Sequence, residues 1–185
     1  VHIDKYNYSQ GKDIRFFLNF AGRMVPHLRA ALTIQLHNYM AKRVLVSGGA
    51  GFIGSHVTVE LIQSGYDVVV ADDMSNCDMT CFEGVKKITG REDIPFVKMD
   101  FCDAAAVNKL FSDYRIDAVI HFAAFKAVGE SVAEPVKYYS NNLCSFINVI
   151  EAARTHGGCN VLFSSSATVY GEPEQLPVTE ESPRQ

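Results

Sequence analysis

Residues 43–56, RVLVSGGAGFIGSH, place an apolar run, a glycine triplet and the start of a helical stretch in direct succession. The run is short and rich in valine, as in a strand buried on both faces. Gly48, Gly51 and Gly54 follow it at GxxGxxG spacing. Gly48 lets the chain turn tightly off the strand, Gly51 lets the backbone approach a pyrophosphate, and Gly54 lets the helix pack close to the sheet. Phosphate charge would rest on the free N–H groups and the positive end of that helix. The alternative is a glycine-rich turn with no ligand. The strand before and the helix after favour the phosphate loop.

The same alternation continues. Apolar runs stand at 43–47, 67–71, 95–99, 117–123 and 160–165, with the lengths and Val/Ile/Phe content of buried parallel strands. One helical stretch runs from Phe52 to Gln63 and stops at Gly65. Another starts at Asp103, a good N-cap, and carries Ala106, Val107, Leu110 and Phe111 on one face. A longer one begins near Pro135, a residue the first turn tolerates, and ends near His156. Strands alternating with helices across short loops predict an α/β fold: a Rossmann-like doubly wound parallel sheet, truncated after the fifth strand. The polar, proline-bearing tail from Gly171 reads as loop.

This domain is expected over residues 40–185, since Met40 directly precedes the first strand and is a plausible initiator. Residues 1–39 read as an extension, either upstream translation or a helical appendage. They are basic and acid-poor, with Lys5, Lys12, Arg15, Arg23 and Arg29 against Asp4 and Asp13. That is also how a mitochondrial transit peptide reads. A weak amphipathic pattern covers 27–38.

A net charge of -4 and the lack of a basic stripe argue against a nucleic-acid partner. No apolar run reaches the ~18–20 residues of a membrane span. The five cysteines form no CxxC pair and no zinc-spaced cluster. They read as reduced, mostly structural thiols, as in a cytoplasmic protein, and no metal is expected.

The second strand ends in Ala71-Asp72-Asp73. A carboxylate about 20 residues past the glycines accepts hydrogen bonds from the ribose hydroxyls of an adenosine. It repels the extra phosphate of NADP, and no arginine follows to welcome it, so NAD is favoured. Asp73 either strengthens that preference or is a solvated loop carboxylate. Asp100 and Phe101 close the third strand, where a carboxylate and an aromatic can flank adenine; Asp100 is equally readable as a helix cap. Lys126 precedes a short helix, where the dipole disfavours a cation and an anionic partner would be welcome; a solvated lysine is the alternative. By their own residues, His56 and His121 read as structural.

HFAAFKAVGES, PVKYYSNN and FSSSATVYG carry a more specific signal. With them, the chain from Ala41 to about Pro183 resembles the extended short-chain dehydrogenase/reductase family, and within it the branch that epimerises C4 of UDP-hexoses. The resemblance implies an isomerase of galactose metabolism that uses NAD, takes a UDP-hexose and pairs as a homodimer. It implies that Phe52 and Ile53 sit at the pyrophosphate. Asp72, Asp73, Met74, Ser75, Asn76 and Cys77 would surround the adenosine ribose. Phe122, Ala123, Ala124, Phe125 and Lys126 would line the cofactor beyond the fourth strand, with Lys126 reaching a ribose or phosphate. Asn141 would stand on the nicotinamide side, and Ser166 would be the catalytic serine. The family usually has Tyr at Phe52, Asn at Asp73 and Gly-Leu at Ala124-Phe125.

In this family the base is the Tyr of a Tyr-x-x-x-Lys helix, its pKa lowered by the Lys and by the oxidised nicotinamide. That pair is expected beyond Gln185. Tyr8-Ser9-Gln10-Gly11-Lys12 fits the pattern but precedes the first strand, and in a chain with eight tyrosines it carries little weight. The chain as given is therefore expected to be inactive, and poorly soluble because the strand at 160–165 would expose an apolar edge. Two rivals stand beside this expectation. One is a sibling dehydratase or decarboxylase; dehydration would need an acid just after the serine, where Ala167 and Thr168 stand. A non-catalytic NAD-binding protein would need no base.

Overall fold

The computed structural model describes residues 43–172, 176–179 and 181–184, all within one unit of the chain, Lys42–Gln185. The expectations for residues 1–39, for Met40 as an initiator and for Tyr8 with Lys12 lie outside the described residues.

Five strands, β1 (Arg43–Ser47), β2 (Asp67–Asp72), β3 (Phe96–Lys98), β4 (Ala118–His121) and β5 (Asn160–Phe163), form one sheet in the order β3-β2-β1-β4-β5. Every pairing is parallel. Between the strands lie α1 (Phe52–Gln63), α2 (Met79–Thr89), α3 (Ala104–Asp113), α4 (Val128–Ala133) and α5 (Pro135–Thr155). The α/β doubly wound architecture expected from the sequence is the one found.

The helix boundaries have local causes. Asp103 accepts hydrogen bonds from the N–H groups of Ala105 and Ala106, at 2.9 and 3.1 Å, and so caps α3. Gly65, at φ +85°, lets the chain leave α1 while its N–H donates to the Ile62 carbonyl at 3.0 Å. Pro135 stands in the first turn of α5. The helix α2 was not among the sequence expectations. Its signals are an N-cap, Asp78 accepting from Thr80 N–H, and a left-handed C-cap at Gly90. Phe82 and Val85, three apart, form its buried side.

Val/Ile-rich runs become strands because their alternate residues bury on both faces. Leu45, Val69 and Val119 pack with Val107, Leu110 and Phe111 of α3 and Val149 of α5. Val44, Val46, Val68 and Val70 alternate with them, and all four are at most 3% exposed. Three runs are shorter as strands than as sequence patterns, because the chain peels off where the sheet ends. A single further bond marks each exit: Met99 N–H to Asp72 O at 3.0 Å, Phe122 N–H to Ser47 O at 2.9 Å, and Ser164 N–H to His121 O at 3.2 Å. Among the described residues β5 is a sheet edge, and its Phe163 is half exposed. One side of α5 is also apolar and exposed, through Val136, Tyr139, Leu143, Ile147 and Ile150.

Candidate functional site

The strand order reverses between β1 and β4, so the connections leaving their C-terminal ends diverge to opposite sides of the sheet. A cleft of about 390 Å³ opens there. The ends of four strands and one helix supply its walls.

The exit of β1 forms the floor. Gly48 has φ +72°, and its N–H donates to the Ala71 carbonyl at 2.8 Å. A Cβ added to Gly48 would lie 2.7 Å from the backbone nitrogen of Ala123, and one added to Gly54 would lie 2.2 Å from the Gly48 carbonyl oxygen. Neither neighbour can yield, because both are backbone. At Gly51 an added Cβ would meet one protein atom, Gly48 O at 3.3 Å. The protein's own packing therefore imposes little there, and the room is what a close-lying phosphate group needs. Gly51 is also the N-cap of α1 and brings no side chain to it. Gly48, Gly51, Phe52, Ile53 and Gly54 all line the cleft.

The exit of β2 supplies a fixed carboxylate. Asp72 is 6% exposed. Its Oδ2 accepts from Ala50 N–H at 3.0 Å, and its Oδ1 from Met74 N–H at 2.9 Å and from the Cys77 thiol at 3.5 Å. Burial, then the Asp72 charge and hydrogen bond, push the Cys77 thiol up to about 12, so it stays protonated and able to donate. Asp73 bends back on its own turn, accepting from the N–H and Oγ of Ser75 at 2.8 and 2.7 Å. Asp72, Asp73, Ser75, Asn76 and Cys77 line the cleft. Met74, expected with them, is not in the lining; it takes φ +64° and turns the loop.

At the exit of β3, Asp100 and Phe101 both line the cleft. Asp100 accepts from Cys102 N–H at 2.7 Å and does not cap α3, which Asp103 does. Phe101 is only 3% exposed, and its ring meets His121 edge-on at 6.1 Å. Beyond β4, Phe122, Ala123, Ala124, Phe125 and Lys126 form the far wall, faced by Asn141 of α5. Ser145 lines it too; the sequence reading passed over it, although it stands one turn beyond Asn141 on the same helix face.

Ser166 is exposed and outside the cleft lining. It caps the 3-10 turn Ala167–Tyr170, its Oγ accepting from Thr168 N–H at 3.2 Å and from Thr168 Oγ1–H at 2.8 Å. Beneath the floor, Ser47 Oγ and His121 Nδ1 share a hydrogen bond of 2.8 Å, and both residues are at most 1% exposed. Among the described residues no group of His, Cys, Asp and Glu could hold a metal ion. Nor is any described helix long and apolar enough to cross a membrane.

Strand order, glycine loop and strand-end carboxylate together define a Rossmann-like nucleotide-binding domain. Residues 45–185 match the family model described as GDP-mannose 4,6 dehydratase, and the chain belongs to that family. It is 52% identical over 140 residues to the UDP-glucose 4-epimerase of Bacillus subtilis, covering 76% of this chain and 41% of that one. It is 48% identical to UDP-glucose 4-epimerase 2 of Arabidopsis thaliana, covering 78% of this chain and 42% of that one. Among solved structures, it resembles the UDP-glucose 4-epimerase of Bifidobacterium longum in complex with NAD+ and UDP. There the TM-score is 0.71 and the identity 46%, over 77% of this chain and 42% of the other. The chain thus spans about two fifths of the length of the relatives it matches.

His121 gives the site a pH signature. Burial pushes its pKa down from 6.5 to about 4. The folded state therefore holds it neutral while the unfolded chain takes up a proton below pH 6.5. Its contribution is complete above 6.5 and is lost as pH falls towards 4, to the order of 3 kcal/mol. Urea unfolding of the chain between pH 7 and 4 should show this decline, and His121→Asn should flatten it. An equally steep decline in the variant would remove His121 as the cause.

Proposed function

We propose that this chain is the NAD-binding part of an enzyme that interconverts UDP-glucose and UDP-galactose by epimerisation at C4. The observation that carries the proposal is the cleft at the β1/β4 switch point. It combines a glycine floor, an uncapped helix N-terminus and a buried, pre-oriented carboxylate. Those are the donor and acceptor types that a dinucleotide presents to match: pyrophosphate on the helix end, ribose hydroxyls on Asp72.

Support for the substrate comes from the relatives, which are named as UDP-glucose 4-epimerases, and from the absence of an acid at Ala167 and Thr168. A 4,6-dehydratase needs such a proton donor there, so the wording of the family description does not carry over to the reaction.

When bound, NAD would take a hydride from C4 of the hexose and return it. The chain's own residues would do the rest of their half of the work. Gly48, Gly51, Phe52 and Ile53 would bind the pyrophosphate through the start of α1. Asp72, with Cys77 donating to it, would hold the ribose and reject a 2′-phosphate. Lys126 and Asn141 would hold the far half of the cofactor. Ser166 Oγ would hydrogen-bond the C4 oxygen and orient it for a tyrosine base, which the remaining part of the protein would supply. The chain alone is accordingly proposed to be inactive. The exposed apolar row of α5 supports pairing of the whole protein as a homodimer, which sedimentation of the whole protein at twice its own subunit mass would check.

Calorimetric titration of the chain should show saturable NAD binding and at least tenfold weaker NADP binding, with Asp72→Asn narrowing that gap. The chain should not convert UDP-galactose, whereas the whole protein should. Equal affinity for the two cofactors, or turnover by the chain alone, would refute the proposal.

A further inference from the structure

Residues 122–127 carry no regular secondary structure, yet 122–126 form the far wall of the cleft. At Phe125 the backbone is tied on both its N–H and its carbonyl by a single side chain. Asn142 of α5 accepts from Phe125 N–H through Oδ1 at 2.8 Å and donates from Nδ2 to Phe125 O at 3.1 Å. One amide thus satisfies both polar groups of the same peptide residue. Asn141 Nδ2 adds a third bond to Asn142 Oδ1 at 3.0 Å. The orientation of the Asn142 amide is fixed by this pattern, since an N–H must meet its oxygen and a carbonyl its nitrogen.

The other neighbour of Lys126 is tied to the same helix. Ala127 N–H donates to Tyr138 Oη at 3.2 Å, and Tyr138 O–H donates in turn to Glu130 at 2.7 Å. Lys126 lies between the two anchors, lines the cleft, and among the described residues has no ion pair.

We propose that Asn142 is a positioning residue for the far half of the cofactor: it fixes the Phe125 backbone and thereby sets where the Lys126 ammonium stands. The proposal rests on the NAD reading above. A wall segment without its own ladder of hydrogen bonds would otherwise have to be ordered by the ligand, at the ligand's cost in affinity. Asn142 meets that cost before binding. Its effect is confined to one end of the cleft, because the adenosine end is built on β2 and β3.

The test separates the two halves of the ligand. The chain is titrated with NAD and with ADP, which lacks the nicotinamide ribose and base. Asn142→Leu removes the clamp, and NAD affinity should fall about tenfold, the loss of one part-buried hydrogen bond pair, with ADP affinity within about twofold of the parent. Asn142→Asp keeps the shape and one acceptor but loses the donor, so it guards against unfolding of the leucine variant. Its NAD deficit relative to the parent should be several-fold at pH 7.5, where the ionised carboxylate faces the Phe125 carbonyl; that repulsion and partial burial raise its pKa, so the deficit should shrink as pH falls to 5 and the protonated carboxyl donates again. A change of overall packing would not follow that pH course. Variants that bind NAD like the parent, or that lose NAD and ADP in equal proportion, overturn the role of Asn142. A parent chain that binds neither ligand refutes the NAD reading, and this proposal with it.

Discussion

The cleft depends on one close approach of backbone to backbone. The chain leaving β1 passes so near the chain leaving β4 that any side chain on Gly48 would enter the Ala123 amide. The same residue donates to Ala71 at the end of β2. Three strand ends are thereby held at fixed distances, and the walls of the cleft inherit their positions from them. Gly54 repeats the constraint one turn later, where its missing Cβ lets the first turn of α1 rest on the Gly48 carbonyl.

Polar groups complete what the glycines permit. Asp72 is costly to bury as an anion unless it is hydrogen-bonded. The Ala50 and Met74 amides satisfy it, and Cys77 adds a weak third donor. The carboxylate therefore stands ready without needing a ligand to order it. Ser47 and His121 do the corresponding work below the floor, where they join β1 to β4 through side chains as well as through the strand ladder.

Much of this was legible in the sequence, for physical reasons that can be named. Runs such as DVVVA have too few polar residues to be anything but buried, and Asp103 before Ala106, Val107 and Leu110 is both a cap and an amphipathic start. The helix α2 was passed over because its surface is charged and Gly84 interrupts it, although Asp78 and Gly90 bracket it as caps. The cleft residues were reached through glycine spacing, strand ends and family motifs. What stayed hidden depends on side-chain direction. Phe101 turns its ring into the core, Met74 is outside the cleft lining, and Asn142 reaches a backbone 17 residues distant. No spacing rule encodes a hydrogen bond from a helix to an irregular loop.

The central claim is that a dinucleotide lies across the strand ends from Asp72 to Lys126, over the glycine floor. The backbone amide spectrum of the chain, recorded as NAD is added, tests it most directly. The amides of 48–54, 72–77 and 122–126 should shift together with one saturating dependence on NAD. Saturable shifts confined to other surfaces, or no shifts at millimolar NAD, would contradict it.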